Sequence, residues 1–249
     1  MKRRSLFVTF EGIEGSGKTS QIVALARYLR RHDVSVVVTR EPGGTRAGEE
    51  IRRIFLGPRG QGLSPWTELF LIEAARAQHL AEVIRPALAA GKVVLCDRFT
   101  DSTLAYQGYG RGLPHDVLRY LHRLGALSPS PELTLLFDLP VDEGLTRVTV
   151  RSAAIDPRAR KRESRIDEES AAFHEKVRRG YLAIAGSQPR RVVRLSAGLN
   201  RAALRERVRT VVLARLGLDP ALAGAVPTPP APSRASKGEG GHGRPGGRG

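Results

Sequence analysis

The chain has 249 residues, 41% of them hydrophobic, which suits one soluble domain of roughly 200 residues plus a tail. No apolar run approaches the roughly 18 residues that a membrane span needs, and the lone cysteine, Cys96, excludes an internal disulfide and a cysteine metal cluster. A net charge of +16 suits a polyanionic partner, either nucleic acid or a small phosphorylated substrate, and equally suits arginine used as a general surface residue.

The start, Met1 to Ser5, is basic but lacks the apolar core and cleavage site of a secretory signal, so a cytoplasmic protein is expected. Leu6 to Phe10 reads as a strand. It runs into Gly12-Ile13-Glu14-Gly15-Ser16-Gly17-Lys18-Thr19, which fits the phosphate-binding pattern Gly-x4-Gly-Lys-Ser/Thr. Gln21 to Arg31 follows with helical spacing, placing Ile22, Leu25, Ala26 and Leu29 on one face. A strand, a glycine loop and a helix N-terminus make an anion site from converging backbone N–H groups. Lys18 is placed to reach the β- and γ-phosphates of a nucleoside triphosphate, and the Thr19 hydroxyl to ligate Mg²⁺.

Val34 to Thr39 is a second strand, and its unbroken β-branched run predicts burial on both faces. A loop, Arg40 to Thr45, and a short helix, Glu49 to Leu56, come next. Pro65 to Ala90 reads as helical throughout, with Pro86 as a break point. Lys92 to Asp97 is a third strand that delivers Asp97 and Arg98 at its carboxyl end. A helix then runs to Gln107, and Gly108, Gly110 and Gly112 punctuate a turn. Asp116 to Leu124 is a helix, Leu133 to Asp138 a strand and Val141 to Ser152 a helix. The stretch from 153 to 165 is arginine-rich and reads as mobile. Glu168 to Ala185 is helical, Arg191 to Leu195 is a fifth strand, and Arg201 to Leu216 is the last helix. From Pro220 onward proline, glycine and alanine dominate, which predicts a disordered basic tail over 220–249 behind a domain of 1–219.

Alternating strands and helices predict an α/β fold, a three-layer sandwich with a five-stranded parallel sheet of P-loop NTPase type. Ligands in such sheets sit beyond the carboxyl ends of the strands. The glycine loop, 40–45, 97–107 and the loop after Asp138 are therefore expected to converge. Asp97 is placed to hold the metal through water, and Arg98 suits bidentate capture of a phosphate. The segment 151–165 is a candidate lid that would exclude water and bring arginines onto a transferring group.

Four motifs carry a resemblance to the thymidylate kinase family. They are Glu11 to Thr19, Thr39 to Thr45, Glu73 to Gln78, and Asp97 to Gly108; a weaker match covers Ser164 to Glu169. The resemblance implies a nucleoside-monophosphate-kinase-like fold and transfer of the γ-phosphoryl group of ATP to dTMP with Mg²⁺. It implies that Glu14 approaches the sugar 3′-hydroxyl, and that Arg98 holds the acceptor phosphate beside a loop containing Arg40, Glu41 and Pro42. Arg76 would reach the base edge, with Ser102, Thr103 and Gln107 helping to hold and read the acceptor, while Tyr106 packs on the deoxyribose. The glycine loop has no arginine, so the family pattern moves catalytic charge to lid arginines, with Arg151, Arg158, Arg160, Arg162 and Arg165 available. It also implies a homodimer through helices like 65–90.

Two features depart from the family. Ile72 stands where an aromatic usually stacks on thymine, leaving Phe70 as the nearest substitute; such stacking is worth roughly 1–3 kcal/mol. The tail after Pro220 has no counterpart in the family's core. Two alternatives stay open at this level: a deoxynucleoside kinase, and a P-loop ATPase using its basic surface on nucleic acid. No RNA-recognition, basic-zipper or zinc-finger signature accompanies the arginines, so no specific nucleic-acid partner is expected.

Overall fold

Five runs of apolar and β-branched residues become five parallel strands: β1 (Leu6–Glu11), β2 (Val36–Arg40), β3 (Val93–Asp97), β4 (Leu133–Asp138) and β5 (Val192–Ser196). Their order across the sheet is β2-β3-β1-β4-β5. The computed structural model describes residues 5–124, 129–153 and 165–218. The helices are α1 (Lys18–Arg31), α2 (Arg46–Leu56), α3 (Pro65–His79), α4 (Arg85–Ala89), α5 (Thr100–Thr103), α6 (His115–Leu124), α7 (Val141–Ala153), α8 (Ala171–Ser187) and α9 (Arg201–Leu216). The predicted tail, 220–249, and lid residues 154–164 lie outside the described residues.

Period-two alternation divides the central strands between two apolar layers. Leu6, Val8 and Phe10 face a layer with α1 and α9, filled by Leu25, Leu29, Val208 and Val212. Phe7 and its neighbours Val94 and Cys96 face the opposite layer, where Leu80, Ile84 and Phe99 pack. Beside them Leu69, Leu118, Phe173 and Val177 bring α3, α6 and α8 into the same side.

Three expectations are corrected. β2 is an edge strand, and Val38 is 42% exposed; its β-branched run reflects strand propensity rather than burial on both faces. The 65–90 helix is interrupted by a π-helical turn, Leu80–Ile84, just before Pro86. Proline removes an amide donor, and the wider turn absorbs that lost bond. A second π-helical stretch, Leu104–Gly110, carries Gly108 and Gly110, which therefore do not form the predicted turn. A Cβ on Gly110 would lie 2.7 Å from Cε2 of Phe173, so the glycine permits close approach of α8.

A part-buried fork ties the residue before β5 to α5. Arg191 donates from Nη1 and Nη2 to the two carboxylate oxygens of Asp101 at 2.7 and 2.8 Å, and from Nη1 to Thr134. Removing one partner of such a pair costs about 3–5 kcal/mol, because the other charge is left buried and uncompensated. Arg191→Met is expected to lower stability by about that amount, read as a lower urea midpoint with an unchanged slope.

Candidate active site

The glycine loop crosses the carboxyl end of the sheet between β1 and α1. Gly15 sits at φ 73°, and a Cβ there would lie 2.3 Å from the Gly144 carbonyl oxygen, so only glycine fits the turn against α7. Helices α2, α3, α8 and α9 are capped by the side chains of Thr45, Ser64, Ser170 and Asn200, whereas Gly17 gives α1 no side-chain cap. The first amides of α1 are thus left for an anion. Lys18 is buried and folded back, donating to the carbonyls of Gly12 at 2.8 Å and Ile13 at 2.9 Å, and to Ser16. Burial, followed by the charge of Arg98, lowers its pKa to about 8, a strain that an incoming polyanion relieves. Thr19 Oγ1 donates to Asp97 Oδ2 at 2.8 Å, so a hydroxyl and a carboxylate meet at the cleft. These are hard oxygen donors of the kind Mg²⁺ takes alongside water and phosphate.

A second corner forms around Arg98, which follows β3 with a left-handed backbone, φ 70°. Its Nη2 donates to Glu14 Oε1 at 2.7 Å, and its guanidinium lies 4.9 Å from the centre of the Tyr106 ring. Tyr106 donates to both carboxylate oxygens of Glu14, at 2.7 and 2.8 Å. Burial alone would raise the Glu14 pKa, but Arg98 and then His174 hold it well below the usual carboxylate range. Glu14 thereby joins the phosphate loop to the 97–107 segment.

Deeper in, Arg76 is 3% exposed and fully engaged. It donates to Glu41 at 2.8 Å, to Glu73 and to Thr103 at 2.9 Å. Glu41 also meets His79, whose other ring nitrogen is 2.6 Å from Thr39. Gln107 donates to buried Glu68 at 3.2 Å. The corners open into one cleft of about 1380 Å³. That exceeds the roughly 300–1,000 Å³ of an ordinary small-ligand pocket and leaves room for two nucleotides.

Three of the four predicted loops line this cleft. The loop after Asp138 does not, because Asp138 is taken by Arg178 and Arg194. The loop after β5 takes part instead: Ala197, Leu199 and Arg201 line the far end, where Arg147 donates to the Ala197 carbonyl. Sequence reading missed these four residues, because Ala197-Gly198-Leu199 carries no phosphate-binding spacing that would single it out. Arg40, Pro42, Ile72 and Ser102 line the cleft as expected. Phe70 does not: it is 58% exposed and stacks on Trp66. Of the lid arginines, Arg151 lines the rim, 3.7 Å from Asp167. Arg165 is outside the lining and bonds to Glu68 and the Phe55 carbonyl, correcting its expected place among the catalytic arginines. Arg158, Arg160 and Arg162 lie outside the described residues.

A family model described as Thymidylate kinase matches residues 10–208. The chain belongs to the thymidylate kinase family. It is 54% identical over 185 residues to the thymidylate kinase of Geobacter sulfurreducens, covering 74% of this chain and 85% of that one. The Desulfovibrio desulfuricans enzyme is 53% identical over 192 residues, 77% of this chain and 88% of its own. The crystal structure of thymidylate kinase from Ehrlichia chaffeensis superposes with a TM-score of 0.66 at 33% identity, covering 84% of this chain and 98% of that one. The family's reaction is ATP-dependent phosphorylation of dTMP to dTDP. Both alternatives left open by the sequence give way to it.

The Glu14–Arg98 pair has a pH signature. The folded Glu14 pKa lies below its reference value of 4.5, so the unfolded chain binds more protons in acid. The stability it contributes is complete above the unfolded value and is lost as pH falls toward the folded one. Glu14→Gln lacks this contribution, so its stability deficit against the parent at neutral pH should shrink by about pH 3, as measured by urea denaturation at both pH values.

Proposed function

We propose that dTMP and ATP meet in this cleft, with the glycine loop serving the donor and the Arg98 corner serving the acceptor. The contact of Arg98 with Glu14 carries the proposal, because it joins the phosphate loop to the segment that faces the acceptor. The β- and γ-phosphates of ATP take the amides at the start of α1, and Lys18 leaves the Gly12 and Ile13 carbonyls to reach them. Thr19 and Asp97 would hold Mg²⁺, which when bound would neutralise developing charge on the phosphates. The adenine end lies toward Arg147, Leu199 and Arg201.

Phosphoryl transfer asks for alignment and charge more than for covalent chemistry. Arg98 grips the acceptor phosphate, Glu14 receives the 3′-hydroxyl, and Tyr106 packs on the sugar. Arg76, immobilised by Glu41, Glu73 and Thr103, meets the base edge together with Gln107, while Ile72 supplies an aliphatic wall. Arg40 and Pro42 close the acceptor side. Arg151 brings positive charge from the lid to the transferring group, and Arg165 anchors the lid's end.

We place the chain in the cytoplasm; among the described residues no helix is long and apolar enough to cross a membrane. We also propose a homodimer through the outer face of α3, where Trp66 and Phe70 are 41% and 58% exposed with ring centroids 6.2 Å apart.

A coupled ADP-release assay should show Mg²⁺-dependent turnover with dTMP ahead of dUMP, dCMP, UMP and thymidine. Turnover of thymidine without dTMP would refute the assignment. Arg98→Ala should raise the KM for dTMP by about 100-fold with little change in the KM for ATP. Sedimentation velocity should give a dimer that Phe70→Glu converts to monomer; a monomeric parent chain refutes the interface.

A further inference from the structure

Glu11, the last residue of β1, is fully buried, does not line the cleft and has no part in the scheme above. Its carboxylate is nevertheless saturated. Oε1 accepts the Phe99 N–H at 2.7 Å, while Oε2 accepts the hydroxyls of Ser102 at 2.6 Å and Tyr181 at 2.9 Å. The same two hydroxyl oxygens lie 3.3 and 3.0 Å from Arg98 Nη1, as its acceptors. A second contact holds the backbone: the Arg98 N–H donates to the carbonyl of Phe10, the residue before Glu11.

The direction of these bonds follows from the chemistry of the groups. A carboxylate only accepts and a guanidinium only donates. The Ser102 and Tyr181 oxygens also lie 2.8 Å from each other, so the carboxylate orients the hydroxyl pair as a unit, with hydrogens turned to Glu11 or shared between the two oxygens and lone pairs left for Arg98. The Phe99 amide, one residue beyond the left-handed Arg98, is fixed by the other carboxylate oxygen. One buried group therefore sets both the backbone turn and the polarity of the shell around the guanidinium.

We propose that Glu11 is a positioning residue for Arg98, aiming its guanidinium at the acceptor phosphate through the Ser102 and Tyr181 hydroxyls and the Phe99 amide. The inference rests on the assignment of Arg98 to the acceptor. Glutamine is the discriminating replacement, since it keeps the shape but adds donors. Its NH₂ would either reverse the two hydroxyls, turning their hydrogens on Arg98, or oppose the Phe99 N–H.

The test is steady-state kinetics on Glu11→Gln, Arg98→Ala and the double variant. Burial, and then Asp101, push the Glu11 pKa up to about 7, so the assays are run at about pH 8 to keep the carboxyl ionised. Glu11→Gln should raise the KM for dTMP by about tenfold to a hundredfold and shift the KM for ATP by less than about twofold. Added to Arg98→Ala it should change the KM for dTMP by less than about twofold, because both substitutions act through one guanidinium. An equal rise in both KM values, or a full additive effect on Arg98→Ala, overturns the inference and leaves the acceptor assignment standing. An unchanged KM in Arg98→Ala overturns both. If Glu11→Gln does not fold, Tyr181→Phe carries the same test. It removes one acceptor from Arg98 and should raise the KM for dTMP by about fivefold in the parent chain but not in the Arg98→Ala background.

Discussion

The active cleft depends on keeping a long cation in an unfavourable backbone conformation. Arg98 has φ 70°, a region that costs a non-glycine residue on the order of 1 kcal/mol or more. The parallel sheet makes this tenable. β3 lies beside β1, so the Arg98 N–H finds the Phe10 carbonyl and the next amide finds Glu11. The turn directs the guanidinium toward Glu14 of the glycine loop, and it carries Asp97 to Thr19 on the other side. The Thr19–Asp97 corner and the Arg98–Glu14 corner are thus two faces of one strand end.

The basicity of the chain acquires a local meaning in this arrangement. Many arginines are tied to carboxylates within the fold: Arg76 to Glu41, Arg111 and Arg165 to Glu68, Arg178 and the exposed Arg194 to Asp138, and Arg191 to Asp101. Others, including Arg40, Arg52, Arg147, Arg151 and Arg201, line the cleft. A guanidinium suits both uses, since its planar fork matches a carboxylate or a phosphate with the same geometry. Basic side chains outnumber the carboxylates Glu14, Glu41, Asp97 and Asp167 along this concave wall, and such a surplus focuses the field on incoming anions.

How much of this was legible depended on whether a signal was local. The glycine loop announces itself by spacing, and Asp97 and Arg98 by standing at the end of an apolar run, so the convergence of Lys18, Thr19, Asp97 and Arg98 on one cleft was legible. β4 and the last helix were bounded correctly by hydrophobic pattern alone. The edge position of β2 was not legible, because an apolar run does not say which strand lies beside it. The roles of Tyr181, His174 and Arg147 also escaped, since each reaches the site from a helix whose own pattern reads as ordinary. Glu11 was quoted as part of a motif, yet its work emerged only when three partners from distant segments were seen to converge on it.

Glu68 shows why the site's parts are not independent. It sits on α3, almost wholly buried, and accepts from Gln107 on the cleft wall, from Arg111 after the π-helical stretch, and from Arg165. Arg111 in turn reaches Glu169 and lies over the Phe173 ring. A carboxylate has about four acceptor positions, so three donors nearly saturate it, and displacement of one changes the geometry available to the others. Arg165, the Gln107 wall of the cleft and the helix bearing Trp66 and Phe70 therefore share a single acceptor. A π-helical stretch from Leu104 to Gly110 suits that junction: its wider turn brings Gln107 to Glu68 while Tyr106 remains bonded to Glu14.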